Sequence, residues 1–251
     1  MSEFINADCM EYLPNYSDDY FDLAICDPPY GGGSQQMPLT ASTATVDALA
    51  GGSTATSRMI RGGVDSMPTP NVKCGRTGGT WSKKYQTNGG IFDHDIRHWD
   101  IAPEPVYFKE LQRISKNQII WGGNYFDLPP TRCFVVWRKT NIPAEGFTMA
   151  PVEYAWTSFN RNAECFEKSS AGTQRKPRIH PTQKPVELYI WLLDKFAEPG
   201  MRILDTHVGS GSSLIACERM GFDYVGFEIN RTYYRIASER IKEETRQLTL
   251  L

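Results

Sequence analysis

An α/β fold with a doubly wound, mostly parallel sheet is predicted by three observations. Strand-like and helix-like segments alternate through the second half of the chain. The run Phe21 to Cys26 is apolar enough to be a strand buried on both faces. It stops at Asp27-Pro28-Pro29, because two prolines cannot continue a hydrogen-bonded ladder. A length of 251 residues suits one large α/β domain with a buried core, so residues 1–251 read as a single domain.

Each element has a local reason. After the first strand, residues 31–90 are rich in Gly, Ser, Thr and Pro and lack hydrophobic periodicity. That length exceeds an ordinary connection and reads as a functional loop or a disordered insert, with DNA contact expected of it. Pro105 to Lys116 has helical spacing, with Val106, Phe108, Leu111 and Ile114 as apolar positions. Gln118 to Trp121 reads as a strand closed by Gly122-Gly123, followed by strand candidates at Cys133–Trp137 and Tyr154–Trp156. Glu164 to Lys184 is polar and loop-like. A helix is expected from Pro185 to Phe196, with proline at its start, where a missing N–H costs little. Then come a strand at Arg202–Asp205, a helix at Ser212–Met220, a strand at Asp223–Glu228 and a helix over Thr232–Arg246.

Composition narrows the function classes. Hydrophobic residues make up 40% and charged residues 22%, which argues against bulk disorder or coiled coil. No apolar run approaches the roughly 18 residues of a membrane span. The opening MSEFINADCM lacks a basic segment followed by an apolar one, so a signal peptide is not expected. Six cysteines lie scattered without a CxxC pair and read as reduced thiols. The four histidines do not cluster at ligand spacing, so no metal is expected. A formal net charge of −2 does not itself suggest nucleic acid, but a sum can hide a patch.

Two motifs carry chemistry. In Ile203 to Leu214 a strand runs into Asp205-Thr206-His207-Val208-Gly209-Ser210-Gly211 and then a helix start. Glycines admit close backbone approach, and a helix N-terminus presents free N–H groups. Leu214 stands where a dinucleotide fingerprint wants glycine, so a pyrophosphate is disfavoured. Glu228 ends the next strand, where a carboxylate can accept both hydroxyls of a ribose. The same residues alone also describe an ordinary strand–turn–helix with a surface glutamate. Asp27-Pro28-Pro29-Tyr30 sits at the carboxyl end of the first strand, the ligand-binding end of open α/β sheets. The Asp27 carboxylate and the Pro28 carbonyl can accept the two N–H bonds of an exocyclic amine, and the prolines stiffen that arrangement. Tyr30 offers a ring face for a flat base. A turn with a capping aspartate is the other reading of that tetrapeptide.

Taken together, Asp27-Pro28-Pro29-Tyr30 and Leu204-Asp205-Thr206-His207-Val208-Gly209-Ser210-Gly211 resemble the S-adenosylmethionine-dependent amino-methyltransferases of DNA, which modify adenine N6 or cytosine N4. The tetrapeptide precedes the glycine motif, an order that resembles the circularly permuted β class. His180-Pro181-Thr182-Gln183-Lys184-Pro185 and the opening Asn6-Ala7-Asp8-Cys9 also resemble that family's motifs. The resemblance implies a class I methyltransferase fold and S-adenosylmethionine as cofactor. It implies Asp8 and Cys9 at the cofactor's adenine and Glu228, with Asn230 beside it, at the ribose. It places Asp205, Gly209, Gly211 and Ser212 along the sugar and methionine, and Thr182, Gln183 and Lys184 at the methionine end. Asp27, Pro28, Pro29 and Tyr30 are implied as catalytic. Direct transfer to a flipped adenine of double-stranded DNA is the reaction implied, since Asp before Pro-Pro-Tyr accompanies adenine more often than cytosine in the family. Cytosine N4, RNA and a protein glutamine amide stand as alternatives. A homodimer, a cognate restriction endonuclease and a cytoplasmic location in a bacterial or phage-infected cell fit the same resemblance.

One departure is Thr206-His207, where the family usually has an aromatic or Pro-Phe pair; His207 reads as a structural histidine. DNA needs phosphate contacts. Arg58, Arg61, Lys73, Arg76, Lys83 and Lys84 in the insert have Asp65 as the one acid among them. Arg175, Lys176 and Arg178 lie between Lys168 and Lys184 with no acid in the interval. Both stretches are expected to face DNA, with acids gathered elsewhere, as at Asp18, Asp19 and Asp22.

Overall fold

The computed structural model describes residues 2–31, 101–143, 150–170 and 179–246. Their strands are β1 (Glu3–Ile5), β2 (Phe21–Cys26), β3 (Ser115–Trp121), β4 (Phe134–Arg138), β5 (Val152–Thr157), β6 (Glu164–Glu167), β7 (Arg202–Asp205) and β8 (Asp223–Phe227). Their helices are α1 (Pro105–Ile114), α2 (Val186–Phe196), α3 (Ser212–Met220) and α4 (Arg231–Arg246). The strands form one sheet in the order β1-β8-β7-β2-β3-β5-β4-β6. Pairing is parallel from β1 through β3 and antiparallel at β3–β5 and β5–β4; β6 joins β4 in parallel.

Both faces of the sheet are covered, as a parallel sheet requires. Side chains alternate along β2. Leu23 and Ile25 join Ile119 and Trp121 against α2 and α3. Ala24 and Cys26 join Ile120 against Tyr107, Phe108, Leu111 and Ile114 of α1. The chain leaves β2 toward β3 on one side, while β7 pairs on the other side through Leu23–Ile203 and Ala24–Leu204. The order therefore reverses between β2 and β7, which is where open α/β sheets form a crevice at their carboxyl ends.

Four sequence expectations change. The α1 helix ends at Ile114, not Lys116, because Ser115 and Lys116 already belong to β3, where Ser115 pairs with Phe21 of β2. Val106 is 48% exposed, and Tyr107 takes its place on the buried face at 2%. Part of the polar stretch after Glu164 is strand β6, which pairs with β4 along Val135–Arg138. Its residues are only half buried, so it shows no apolar run to read. The acids near the first strand are not a free negative patch either. Asp18 pairs with Arg113 at 2.8 Å, and Asp22 with Lys116 at 2.7 Å. Most of the 31–90 insert, with Arg58, Arg61, Lys73, Arg76, Lys83 and Lys84, lies outside the described residues, as do Arg175, Lys176 and Arg178. Among the described residues no helix is long and apolar enough to cross a membrane.

Candidate active site

The β2–β7 pairing brings the ends of two distant motifs together. Asp27 follows β2 directly, and Asp205 closes β7. At the tetrapeptide, the Tyr30 hydroxyl donates to Asp27 Oδ1 at 2.7 Å. The other carboxylate oxygen, Oδ2, holds the Lys184 ammonium, whose side chain is 2% exposed. Lys184 also reaches Glu153 Oε2 at 3.3 Å. Glu153 Oε1 binds Lys139 at 2.6 Å. Burial favours a neutral Lys184, but Asp27 and Glu153 outweigh it and hold the ammonium above its ordinary value. Burial likewise opposes a charged Glu153, and Lys184 and Lys139 override it, holding the carboxyl below its ordinary range. The four groups form an alternating chain of buried charges, each paired, which is the condition for ions to persist out of water.

Tyr30 is seated by two neighbours. Its ring stacks on Tyr125, centroids 4.9 Å apart at 17°. Gly122 lies against it at φ 67°, and a Cβ there would stand 2.1 Å from Tyr30 Cε1. Gly122→Ala should therefore cost about 2–4 kcal/mol, combining left-handed strain with overpacking, and should displace Tyr30. Chemical denaturation reads the first effect and loss of methyl transfer the second. A variant as stable and active as the parent would contradict this packing.

The glycine turn is tied from several sides. Gly209 N–H donates to Glu228 Oε2 at 2.9 Å, and Asn230 N–H donates to Glu228 Oε1 at 2.8 Å. Asn230 Oδ1 then caps α4 by accepting from Thr232 N–H at 2.9 Å. Gly211 adopts φ 80°, and its missing Cβ admits Ile241 of α4. Ser212 Oγ donates to the Lys184 carbonyl at 2.8 Å, joining this turn to the segment after His180. Arg240 of α4 donates through Nη1 to the Ser210 carbonyl at 2.8 Å and to Ser212 Oγ at 3.0 Å. Asp205 Oδ1 accepts from His207 N–H at 2.9 Å, and its Oδ2 accepts from Ser213 Oγ.

Burial pushes the Asp205 carboxyl up to about 7, against the pull of its Ser213 and His207 bonds. Between its ordinary 3.8 and about 7 the folded chain keeps a proton that the unfolded chain has lost. Stability from this group therefore falls as pH rises through that window. Asp205→Asn keeps the shape and removes the titration. Relative to the parent, its melting temperature should gain as pH rises from 4 to 8. Parallel melting-temperature curves for the two proteins would refute the assignment.

A family model described as DNA methylase matches residues 21–239. The chain belongs to the N6_N4_Mtase family of DNA methylases. The type II methyltransferase M.HpaI of Haemophilus parainfluenzae is 39% identical over 70 residues, which are 28% of this chain and 22% of that protein. M2.DpnII of Streptococcus pneumoniae is 35% identical over 65 residues, 26% of this chain and 24% of its own length. The matched part thus spans about a quarter of these curated relatives. Among solved structures, the PvuII DNA methyltransferase, described as cytosine-N4-specific, has a TM-score of 0.50 and 11% identity, covering 98% of this chain and 92% of that one. That likeness shows the fold: a class I methyltransferase sheet, here with the glycine motif after the Asp-Pro-Pro-Tyr motif.

Within this family member, the structure brings Asp27, Tyr30, Lys184, Asp205, Gly209, Gly211, Ser212, Glu228 and Asn230 to one end of the sheet. Asp8 caps the turn Cys9–Glu11, its Oδ1 accepting from Met10 N–H at 2.9 Å. The Cys9 side chain points into the core, where burial pushes its thiol up to about 12. Thr182 Oγ1 lies 3.1 Å from His180 Nδ1, and Gln183 Oε1 accepts from Ile179 N–H at 3.0 Å, so both organise their own loop. Lys184 was expected in a basic stretch between Lys168 and Lys184; its charge is instead committed to Asp27 and Glu153. Lys168 pairs with Glu187 at 3.0 Å. Neither end of that stretch is an uncommitted cation for phosphate. His207 behaves as a structural histidine. Thr206 Oγ1 lies 2.9 Å from its Nδ1, Tyr107 packs edge-on at 5.5 Å, and burial lowers the ring to about 4. Sequence reasoning missed Glu153, Lys139 and Arg240. The one available signal was an acid inside the otherwise apolar Val152-Glu153-Tyr154-Ala155-Trp156.

Proposed function

We propose that the chain transfers a methyl group from S-adenosylmethionine to the N6 amine of adenine in DNA. The β2–β7 register carries this reading, because it sets Asp27-Pro28-Pro29-Tyr30 beside the turn from Asp205 to Gly211. A donor site and an acceptor site for a small group then share one crevice.

The donor set suits a nucleoside cofactor. Asp8 and Glu228 follow the adjacent parallel strands β1 and β8, paired at Ile5–Phe227. Glu228 spends one lone pair of each oxygen on the turn, and a carboxylate has about four such sites, so two remain for a diol. Asp8 offers an acceptor for an amine. The segment that carries Thr182 and Gln183 is joined to the turn through the Ser212–Lys184 carbonyl bond, while the Lys184 ammonium stays on Asp27 and Glu153. Bound there, S-adenosylmethionine supplies an electrophilic methyl on sulfur.

The protein's part is positioning and charge placement. Asp27 Oδ1 is the acceptor for one N–H of the target amine, a place the Tyr30 hydroxyl occupies in the free protein. Tyr30 then presents its ring to the base. The base amine is itself the nucleophile: its nitrogen would form the new C–N bond as the methyl–sulfur bond breaks to leave a neutral thioether, and the resulting ammonium would release one proton to water. A nucleophilic role for Cys9 or Cys26, which adjoin these strands, is disfavoured, since burial pushes both thiols up to about 12. Adenine rather than cytosine is favoured by the aspartate that begins the tetrapeptide. The family resemblance fits a cytoplasmic location in a bacterial or phage-infected cell.

The test is tritium transfer from labelled S-adenosylmethionine to unmethylated DNA, followed by nucleoside analysis. N6-methyladenine is the expected product. N4-methylcytosine would replace the base assignment, and unlabelled DNA would overturn the reading in favour of RNA or a protein amide.

A further inference from the structure

Glu153 is a carboxylate that the transfer chemistry above does not use. It reaches the site for a topological reason. The β5 strand runs antiparallel to β3, so its first residues, not its last, lie at the carboxyl end of the parallel strands. Glu153 faces Trp137 across the β4–β5 ladder, and Lys139, two residues beyond Trp137, donates its backbone N–H to the Pro151 carbonyl at 2.8 Å. The two lysines are sealed by tryptophans. Lys139 Nζ lies 5.3 Å from the Trp137 ring centroid, and Lys184 Nζ lies 5.1 Å from that of Trp121. Side-chain exposure is 8% at Lys139 and 2% at Lys184, so neither ammonium can turn to water instead.

We propose that Glu153 is a positioning residue for methyl transfer: by sharing the Lys184 ammonium with Asp27, it confines that ammonium to Asp27 Oδ2 and leaves Oδ1 as the acceptor for the target amine. This rests on the reading of Asp27 as the acceptor of that amine.

The argument is one of competing donors. An ammonium has three N–H bonds and no acceptor. With Glu153 present, Lys184 divides them between two carboxylates, and Asp27 Oδ1 is left for Tyr30 or for substrate. Without the second carboxylate, the buried Lys184 has Asp27 as its single counter-ion. It then competes with the incoming amine for both oxygens. Substrate and cofactor contacts made elsewhere are untouched, so the loss falls on the chemical step.

The experiment compares kcat, KM for DNA and calorimetric S-adenosylmethionine affinity in the parent, E153Q, E153D and Asp27→Ala. Gln keeps the shape of Glu153 and removes its charge, whereas Asp keeps the charge and shortens the reach. The expected order of kcat is parent, then E153D, then E153Q, with E153Q lower by about 10- to 100-fold, as small misplacements at a reacting centre give. S-adenosylmethionine affinity should stay at the parent value. A merely structural role predicts the reverse order, with the isosteric Gln tolerated best, and that result overturns the proposal. So does parent-like kcat in E153Q, or a loss of cofactor affinity in step with kcat. If E153Q does not fold, E153D decides: lower kcat at unchanged affinity supports the role, and equal kcat overturns it. Activity persisting in Asp27→Ala would instead sink the underlying reading of Asp27. An inactive Asp27→Ala beside a parent-like E153Q would sink only the role of Glu153.

Discussion

Asp27→Ala is expected to lose about 1,000-fold in methyl transfer to DNA, the upper end for removing one preorganised group at a reacting centre. The carboxylate has two oxygens with different tasks. Oδ1 receives the Tyr30 hydroxyl at 2.7 Å in the free protein and is where the target amine would bind. Oδ2 anchors Lys184. Alanine removes both, so the base loses its acceptor and Tyr30 loses its tether. Cofactor affinity should survive, because the bonds that shape the glycine turn come from Glu228, Asn230 and Arg240. Tritium transfer measures the first effect and calorimetry with S-adenosylmethionine the second. Transfer at the parent rate would end the proposed mechanism.

Lys184→Met is expected to be the most destabilising of these substitutions. Removing one partner from a buried ion pair costs about 3–5 kcal/mol, since the remaining charges stay buried and unpaired. Here Asp27 loses its buried counter-ion, whereas Glu153 keeps Lys139 at 2.6 Å. For a chain of this size that is a fall in melting temperature on the order of 10 °C. Adding Asp27→Asn should recover part of the loss, because the orphaned charge is then removed. Thermal melts of the single and double variants decide it. A single variant as stable as the parent would mean that water already reaches the pair.

Much of the scaffold was legible in order along the chain. The apolar run to Cys26, its arrest at Pro28-Pro29 and the glycine turn after Asp205 are local patterns, and the structure places each where the pattern put it. The helix Val186–Phe196 and the strand–helix–strand from Arg202 to Phe227 follow the same logic. Errors arose where local pattern is weak. Strand β6 is half buried and polar, and Val106 and Tyr107 are adjacent residues on a helix whose facing depends on its neighbours. Three glutamates and aspartates assigned to the cofactor also have structural duties. Asp205 knots its own turn, Glu228 holds Gly209, and Asp8 caps a turn. Those bonds run through backbone N–H groups, which motif spacing does not reveal.

The sequence by itself determined which segments become strands and helices and which residue types meet the chemistry, because periodicity and turn preferences act over a few residues. It did not determine that Lys184 would face Asp27, a contact between residues 157 positions apart. Nor did it determine that Glu153 would stand behind Lys184. That depends on β5 running antiparallel, a choice of strand direction made by the whole sheet. A lysine in a loop without acids reads as a free cation when counted along the chain. In the folded protein burial decides, since an ammonium removed from water must find carboxylates wherever the topology has put them.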